Sequence, residues 1–192
     1  MTDIEEFRSV VEFHGCFCLD IAVGYRVAKA LMREMGEEVN NLKDVFAQVG
    51  TSTCAIDAIQ KITGCTLGKR NLIMSDLGKP VYILQNAKTG HAVRAYVHFW
   101  EGYDQHEIGK YKSAAKVDAD GKQALQDYLE SKIDEILSLP DDALFSLKHV
   151  NLTAPGFSGK FEAKACDICG EYVNTRYLQG LDNLSLCPEC LS

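Results

Sequence analysis

Eight cysteines fall in a chain of 192 residues, and their spacing divides them into two sets with different chemistry. The C-terminal stretch KACDICGEYVNTRYLQGLDNLSLCPECLS carries Cys166-x2-Cys169 and Cys187-x2-Cys190, with seventeen residues between the pairs. Two such knuckles can converge four thiolates tetrahedrally, an arrangement Zn²⁺ favours because it tolerates all-sulfur ligation without redox cost. Four protein ligands leave no open position, so this spacing predicts a structural zinc, with iron in the same thiolate set as the rival. So short and apolar-poor a segment would draw its folding energy from the metal.

The other four, Cys16, Cys18, Cys54 and Cys65, read as lying at element boundaries. Residues 14 to 18, H-G-C-F-C, place His14, Cys16 and Cys18 in alternation. In an extended loop alternate residues point the same way, so all three could meet on one transition metal, with Cys54 or a solvent molecule completing the shell. The competing reading is of cysteines packed as small hydrophobes and a capping histidine. One imidazole with soft thiolates suits zinc, iron, nickel or copper. Cys54 is expected at or beside a helix N-terminus, where the dipole stabilises a thiolate and suits it to be a ligand or a nucleophile. Asp57 and Lys61 follow at i+3 and i+7 on the same face, so Asp57 either orients a ligand or accepts a proton, unless the face is simply solvated. In T-G-C-T-L-G-K-R, residues 63 to 70, a phosphate loop is excluded: only three residues separate the glycines and Arg70 follows the lysine. A turn presenting Cys65 and Lys69 to a ligand, or an ordinary tight turn, remains. His91, His98 and His106 read as isolated, with His98 and Trp100 on one strand face. His149 has no sequence signal attached to it.

A net charge of −7 and a pI near 5.2 disfavour a nucleic-acid surface. Metals, small ligands and proteins are the better partners. No apolar run approaches the roughly 20 residues that span a bilayer, and TDIEEFRSVVEF lacks the basic start and apolar stretch of a secretory signal. The expected compartment is therefore the reducing cytoplasm, where clustered thiols are ligands or reactive groups before they are disulfides.

The elements that would hold these residues follow from periodicity. Thr2 and Glu5 stand at capping-box spacing, predicting a helix over 3–13 with H-G-C-F-C as its exit. A second helix has Ile21, Tyr25, Ala28, Met32 and Met35 on one face, Arg26, Lys29 and Arg33 opposite, and Gly36 as its stop. Gly24 inside it costs about 1 kcal/mol relative to Ala and implies close approach of another backbone. DVFAQVG is a strand candidate, and TSTCAIDAIQKITG a helix with Thr or Ser at its cap and Gly64 at its end. After the loop CTLGKRNLIMSDLGKP, VYILQNA and HAVRAYVHFW separated by KTG read as a hairpin. A long helix shows Leu125, Leu129, Ile133, Ile136 and Leu137 on one side and ends before Pro140, and DDALFSLKHV is a helix or helix–strand piece. The result is an α+β class, helices packed on a mostly antiparallel sheet, with a small C-terminal zinc finger. The expected division is a core at 1–155, a linker at 156–165 in the Pro- and Gly-rich stretch, and a four-cysteine finger at 166–192.

FHGCFCLDIAVGYRVAKAL together with CAIDAIQKITGCTLGKRNL resembles the FmdE family of formylmethanofuran dehydrogenase subunits, and the cysteine pairs resemble the treble-clef zinc finger of some members. The resemblance implies an α+β core, a homodimer, and a core site lined by His14, Cys18, Cys54, Asp57, Thr63, Gly64, Cys65 and Lys69. It also implies a link to molybdenum or tungsten formylmethanofuran dehydrogenases. Against the pattern H-G-H-x-C-P-G, this chain has Cys16 for the second histidine and Leu19-Asp20 for Pro-Gly, and Arg70 stands for a usual glycine. Three functions follow: a metal-binding accessory or stand-alone relative in one-carbon or molybdenum/tungsten enzyme metabolism, an enzyme with Cys54 as thiolate, or a non-catalytic dimer presenting its finger to a protein partner.

Overall fold

The computed structural model describes residues 2–41, 43–153 and 162–191. The chain divides into two compact units, Met1–Pro155 and Gly156–Ser192. Of the stretch expected as a linker, 156–161 lies outside the described residues.

The first unit opens with α1 (Asp3–His14), whose capping box is complete: Thr2 Oγ1 accepts from the Glu5 N–H and Glu5 accepts from the Thr2 N–H. Gly15, at φ +92°, ends it, donating its N–H to Val11 at 2.8 Å. α2 (Leu19–Met35) is the central helix. Its predicted stripe is inside except for Met32, which is half-buried, but so are Ala22, Val23, Val27, Ala30 and Leu31, so most of its circumference is covered. Of its basic face, the Arg26 guanidinium donates to the Ile136 and Leu137 carbonyls and pairs with Asp141 at 2.7 Å. Lys29 pairs with Glu6. Gly24 does meet another backbone: a Cβ there would stand 2.6 Å from the Ala55 Cα.

The sheet contains β1 (Val45–Val49), β2 (Leu72–Met74), β3 (Val81–Asn86), β4 (His91–Val97) and β5 (Phe145–Asn151), in the order β2-β1-β3-β4-β5. Only β1 and β2 run parallel; the other pairs are antiparallel. Gly90, at φ +77°, supplies the left-handed residue of the KTG turn between β3 and β4. α3 (Ala55–Thr63) follows β1 and packs against α2, and its first residue is preceded by Cys54 rather than by a Thr or Ser cap. Thr53 instead bonds the Tyr82 hydroxyl. α4 (Gln105–Ala114), α5 (Ala119–Ser138) and α6 (Asp141–Leu144) complete the unit. On α5, Ile133 and Ile136 are buried as expected, while Tyr128 rather than Leu125 is the further inward residue, stacked on Tyr111.

Two strand expectations need correcting. β4 stops at Val97, and His98 and Trp100 leave it in a short 3₁₀ turn, so they share no strand face. His91 is not isolated: a 3.0 Å hydrogen bond joins it to His149 across β4 and β5, and the two bond onward to Glu38 and Glu34. Among the described residues no helix is long and apolar enough to cross a membrane.

The second unit consists of two hairpins, β6 (Ala163–Ala165) with β7 (Tyr172–Asn174) and β8 (Gln179–Leu181) with β9 (Leu184–Leu186). Among the described residues its buried interior is Cys166, Leu186 and Cys187, flanked by Val173, Cys190 and Leu191.

Candidate metal centre

In the second unit the first knuckle sits in the β6–β7 turn, closed by the Gly170 N–H on the Cys166 carbonyl at 2.9 Å, and the second follows β9. The four sulfurs of Cys166, Cys169, Cys187 and Cys190 lie within 4.8 Å of one another, and Cys169 and Cys187 are 3.9 Å apart. Backbone N–H groups of Cys169, Cys187 and Ile168 point at the Cys166 sulfur and bring its pKa down to about 6. The Cys190 thiol is driven the other way, to about 12, first by its hydrogen bond to Cys187 and then by burial. Sulfurs this close resist ionising together, and a divalent cation relieves that repulsion. The donor set therefore fits a four-coordinate metal.

The core site is built where three helix ends meet. His14 is the last residue of α1, Cys18 immediately precedes α2, and Cys54 immediately precedes α3. The Cys54 side chain makes no capping bond to its own helix, and Cys18 receives only the Ile21 N–H from the first turn of α2. The three ligand atoms lie within 4.8 Å of one another, with His14 Nε2 at 3.8 Å from Cys18 Sγ. Asp57, one turn into α3, holds the other face of the imidazole: its Oδ2 lies 2.7 Å from His14 Nδ1, and its Oδ1 accepts from Gln60. Accepting a proton from Nδ1 leaves the Nε2 lone pair facing the two sulfurs, the carboxylate–histidine–metal arrangement. Burial, opposed by the Ile21 N–H and reinforced by the Cys54 sulfur, pushes Cys18 up to about 12. A cation between the thiols would reverse that balance. One imidazole and two thiolates leave a fourth position open.

Five expected site residues are placed elsewhere. Cys16 is exposed and outside the cluster. Alternation fails because His14 is still helical and Gly15 is left-handed, which turns Cys16 away from the line of its neighbours. Cys65 is fully buried in the hydrophobic core rather than presented by a loop, with its thiol 3.6 Å from the Val45 carbonyl. It follows the far end of α3 from Cys54, about 14 Å of helix away. Lys69 donates to the Gly64 carbonyl at 2.9 Å, capping the C-terminus of α3. Thr63 and Gly64 belong to the same end, Thr63 bonding back to Ile59. Lys61 is exposed. Arg70 has φ 60°, the left-handed conformation that a glycine adopts freely.

Beside the core cluster lies a cavity of about 740 Å³ that Cys18 lines and Cys54 does not. Its walls include Tyr82, Trp100 and Tyr103, with Asp20 and Lys112 as its charged residues. Asp20 sits in the first turn of α2, and burial raises its carboxyl pKa, offset by His14 and Lys112. None of these residues stands in a sequence pattern that signals a site.

A family model described as FmdE, molybdenum formylmethanofuran dehydrogenase operon, matches residues 13–146, which contain His14, Cys18, Cys54 and Asp57. The chain belongs to the FmdE family. The match stops short of the second unit, whose four cysteines are an addition to the FmdE region in this chain. A curated relative from Archaeoglobus fulgidus, named as a probable S-adenosyl-L-methionine-binding protein, is 29% identical over 187 residues, covering 88% of this chain and 49% of that one. The chain thus spans about half the length of that relative. A solved protein from Syntrophus aciditrophicus, described as similar to the FmdE component of tungsten formylmethanofuran dehydrogenase, has the same fold. Its TM-score is 0.60 at 24% identity, covering all of this chain and 93% of that chain.

Proposed function

We propose that this FmdE-family chain is a two-metal protein: a structural zinc on Cys166, Cys169, Cys187 and Cys190, and a second transition metal on His14, Cys18 and Cys54. The observation that carries the reading is the meeting of three helix ends with Asp57 already bonded to the outer nitrogen of His14. A zinc ion in the core site would supply Lewis acidity to a ligand in its open position. The chain's own residues hold and orient: Asp57 fixes the imidazole, Gln60 fixes Asp57, and Cys18 links the cluster to the cavity. This supports an accessory or stand-alone role beside molybdenum or tungsten enzymes of one-carbon metabolism, in a homodimer whose finger meets a protein partner. The exposed Ile168, Tyr172 and Leu181 would serve that last role. The thiolate-enzyme reading is weaker, because Cys18 and not Cys54 reaches the cavity.

Elemental analysis of purified protein is expected to give two metals per chain, falling to one in Cys54→Ser with the finger's metal retained. One metal per chain, unchanged by that substitution, sinks the core site. Asp57→Asn is expected to weaken core-metal affinity by about 10- to 100-fold in competition with a chromophoric chelator. Unaltered affinity would mean that Asp57 does not position His14.

A further inference from the structure

The cavity beside Cys18 has chemistry of its own. Trp100 and Tyr103 stand on its wall in edge-to-face contact, with ring planes at 88° and centroids 5.4 Å apart. Tyr82 and Phe17 add further rings. Aromatic faces carry negative charge density, and several rings lining one cavity are how proteins hold an organic cation. In the same cavity Asp20 is half-buried, and the described residues give its carboxylate no hydrogen-bond donor. The charged groups facing it are His14, whose two nitrogens are turned to Asp57 and Cys18, and Lys112. Lys112 sits on the exposed face of α4, where its stem can carry the ammonium into water; Asp20, fixed in the first turn of α2, has no such freedom. A second concave site, about 350 Å³ and lined by Arg26, Lys29 and Arg33, is a contrast, because its cations are already paired with Asp141, Glu6 and Glu34.

We infer that the cavity formed by Asp20, Trp100, Tyr103 and Tyr82 is a binding site for a small organic cation carried on a flat apolar body. The carboxylate neutralises the charge, and the rings cover the part of the ligand that water would otherwise solvate. A volume of about 740 Å³ suits a ligand of that size. None of the cation-recognising groups is among the metal ligands, so the inference stands or falls apart from the metal reading.

The test is a charge series on one scaffold: benzyltrimethylammonium, benzyl alcohol and benzoate, titrated at pH 7 into the full chain by calorimetry. Trp100, the chain's one tryptophan, gives a second signal from the cavity wall by fluorescence. Benzyltrimethylammonium is expected to bind about tenfold tighter than benzyl alcohol, with benzoate weakest. In Asp20→Asn, which keeps the side chain's shape, the cation should lose that advantage while benzyl alcohol is unaffected. Benzoate binding as well as the cation, or no binding by any of the three up to about 10 mM, overturns the inference. So does a cation preference that survives Asp20→Asn. Should that variant fail to fold, the charge series on the unaltered chain still decides.

Discussion

Loss of the metal proposed for its four cysteines is expected to unfold the C-terminal unit completely while the core stays folded. With three buried residues among those described, two of them cysteines, the unit has little apolar burial to set against the entropy of ordering its chain. Its short hairpins cannot supply the difference, since isolated two-stranded ribbons are marginal in water. Structural zinc contributes about 10–16 kcal/mol in comparable small units, far more than the margin by which this one could stand. In ¹⁵N-labelled Cys187→Ser, the amide signals of residues 162–191 should collapse to random-coil shifts, with those of α2 and the sheet unmoved. A finger that keeps dispersed signals without metal would show that its own contacts suffice. Acidification should act in the same direction, because ligation needs the thiolates and binding therefore releases protons.

Gly24→Ala is expected to destabilise the core by about 3 kcal/mol, at the upper end of overpacking substitutions. The added methyl would meet the Ala55 Cα at 2.6 Å and its Cβ and carbonyl oxygen at 2.8 Å, all too close and two of them backbone. No side-chain rotation relieves a clash with backbone, so α2 and α3 must separate. Those helices begin at Cys18 and Cys54, so the same substitution should weaken binding at the core centre along with stability. Gly102→Ala is the control, since a Cβ there meets nothing within 4 Å. Urea unfolding of the two variants, with metal content measured alongside, separates the effects. A loss at Gly24 no larger than at Gly102 would contradict the contact.

Much of this was legible in the residues. Thr2 with Glu5 marked the start of α1, Gly36 and Gly64 the ends of α2 and α3, and KTG the β3–β4 turn, because caps and tight turns are local and few residue types satisfy them. The need for glycine at 24 was legible too, though not its partner. What escaped was short or lacked a stripe. β2 has three residues, and its place beside β1 is a tertiary fact. α4 buries none of its residues and carries Gly109, so no periodicity betrays it. The core site was half readable: the types in His14, Cys18, Cys54 and Asp57 pointed to it, but choosing between Cys16 and Cys18 depended on the left-handed Gly15. Cys65 misled because position after a helix does not disclose burial, and nothing in the sequence joins Asp20 to Trp100.

The order β2-β1-β3-β4-β5 leaves two strands with unpaired edges, and each is poorly suited to recruit a strand from another molecule. β2 offers only three residues. β5 is longer, but Lys148 and His149 are exposed on it, and Glu34 and Glu38 at the end of α2 and beyond are tied to its His149–His91 pair. Ionic side chains at that border raise the cost of stripping water for a new ladder. The sheet is thereby guarded against growing from chain to chain, and self-association of this protein should proceed through side-chain surfaces instead of shared backbone hydrogen bonds.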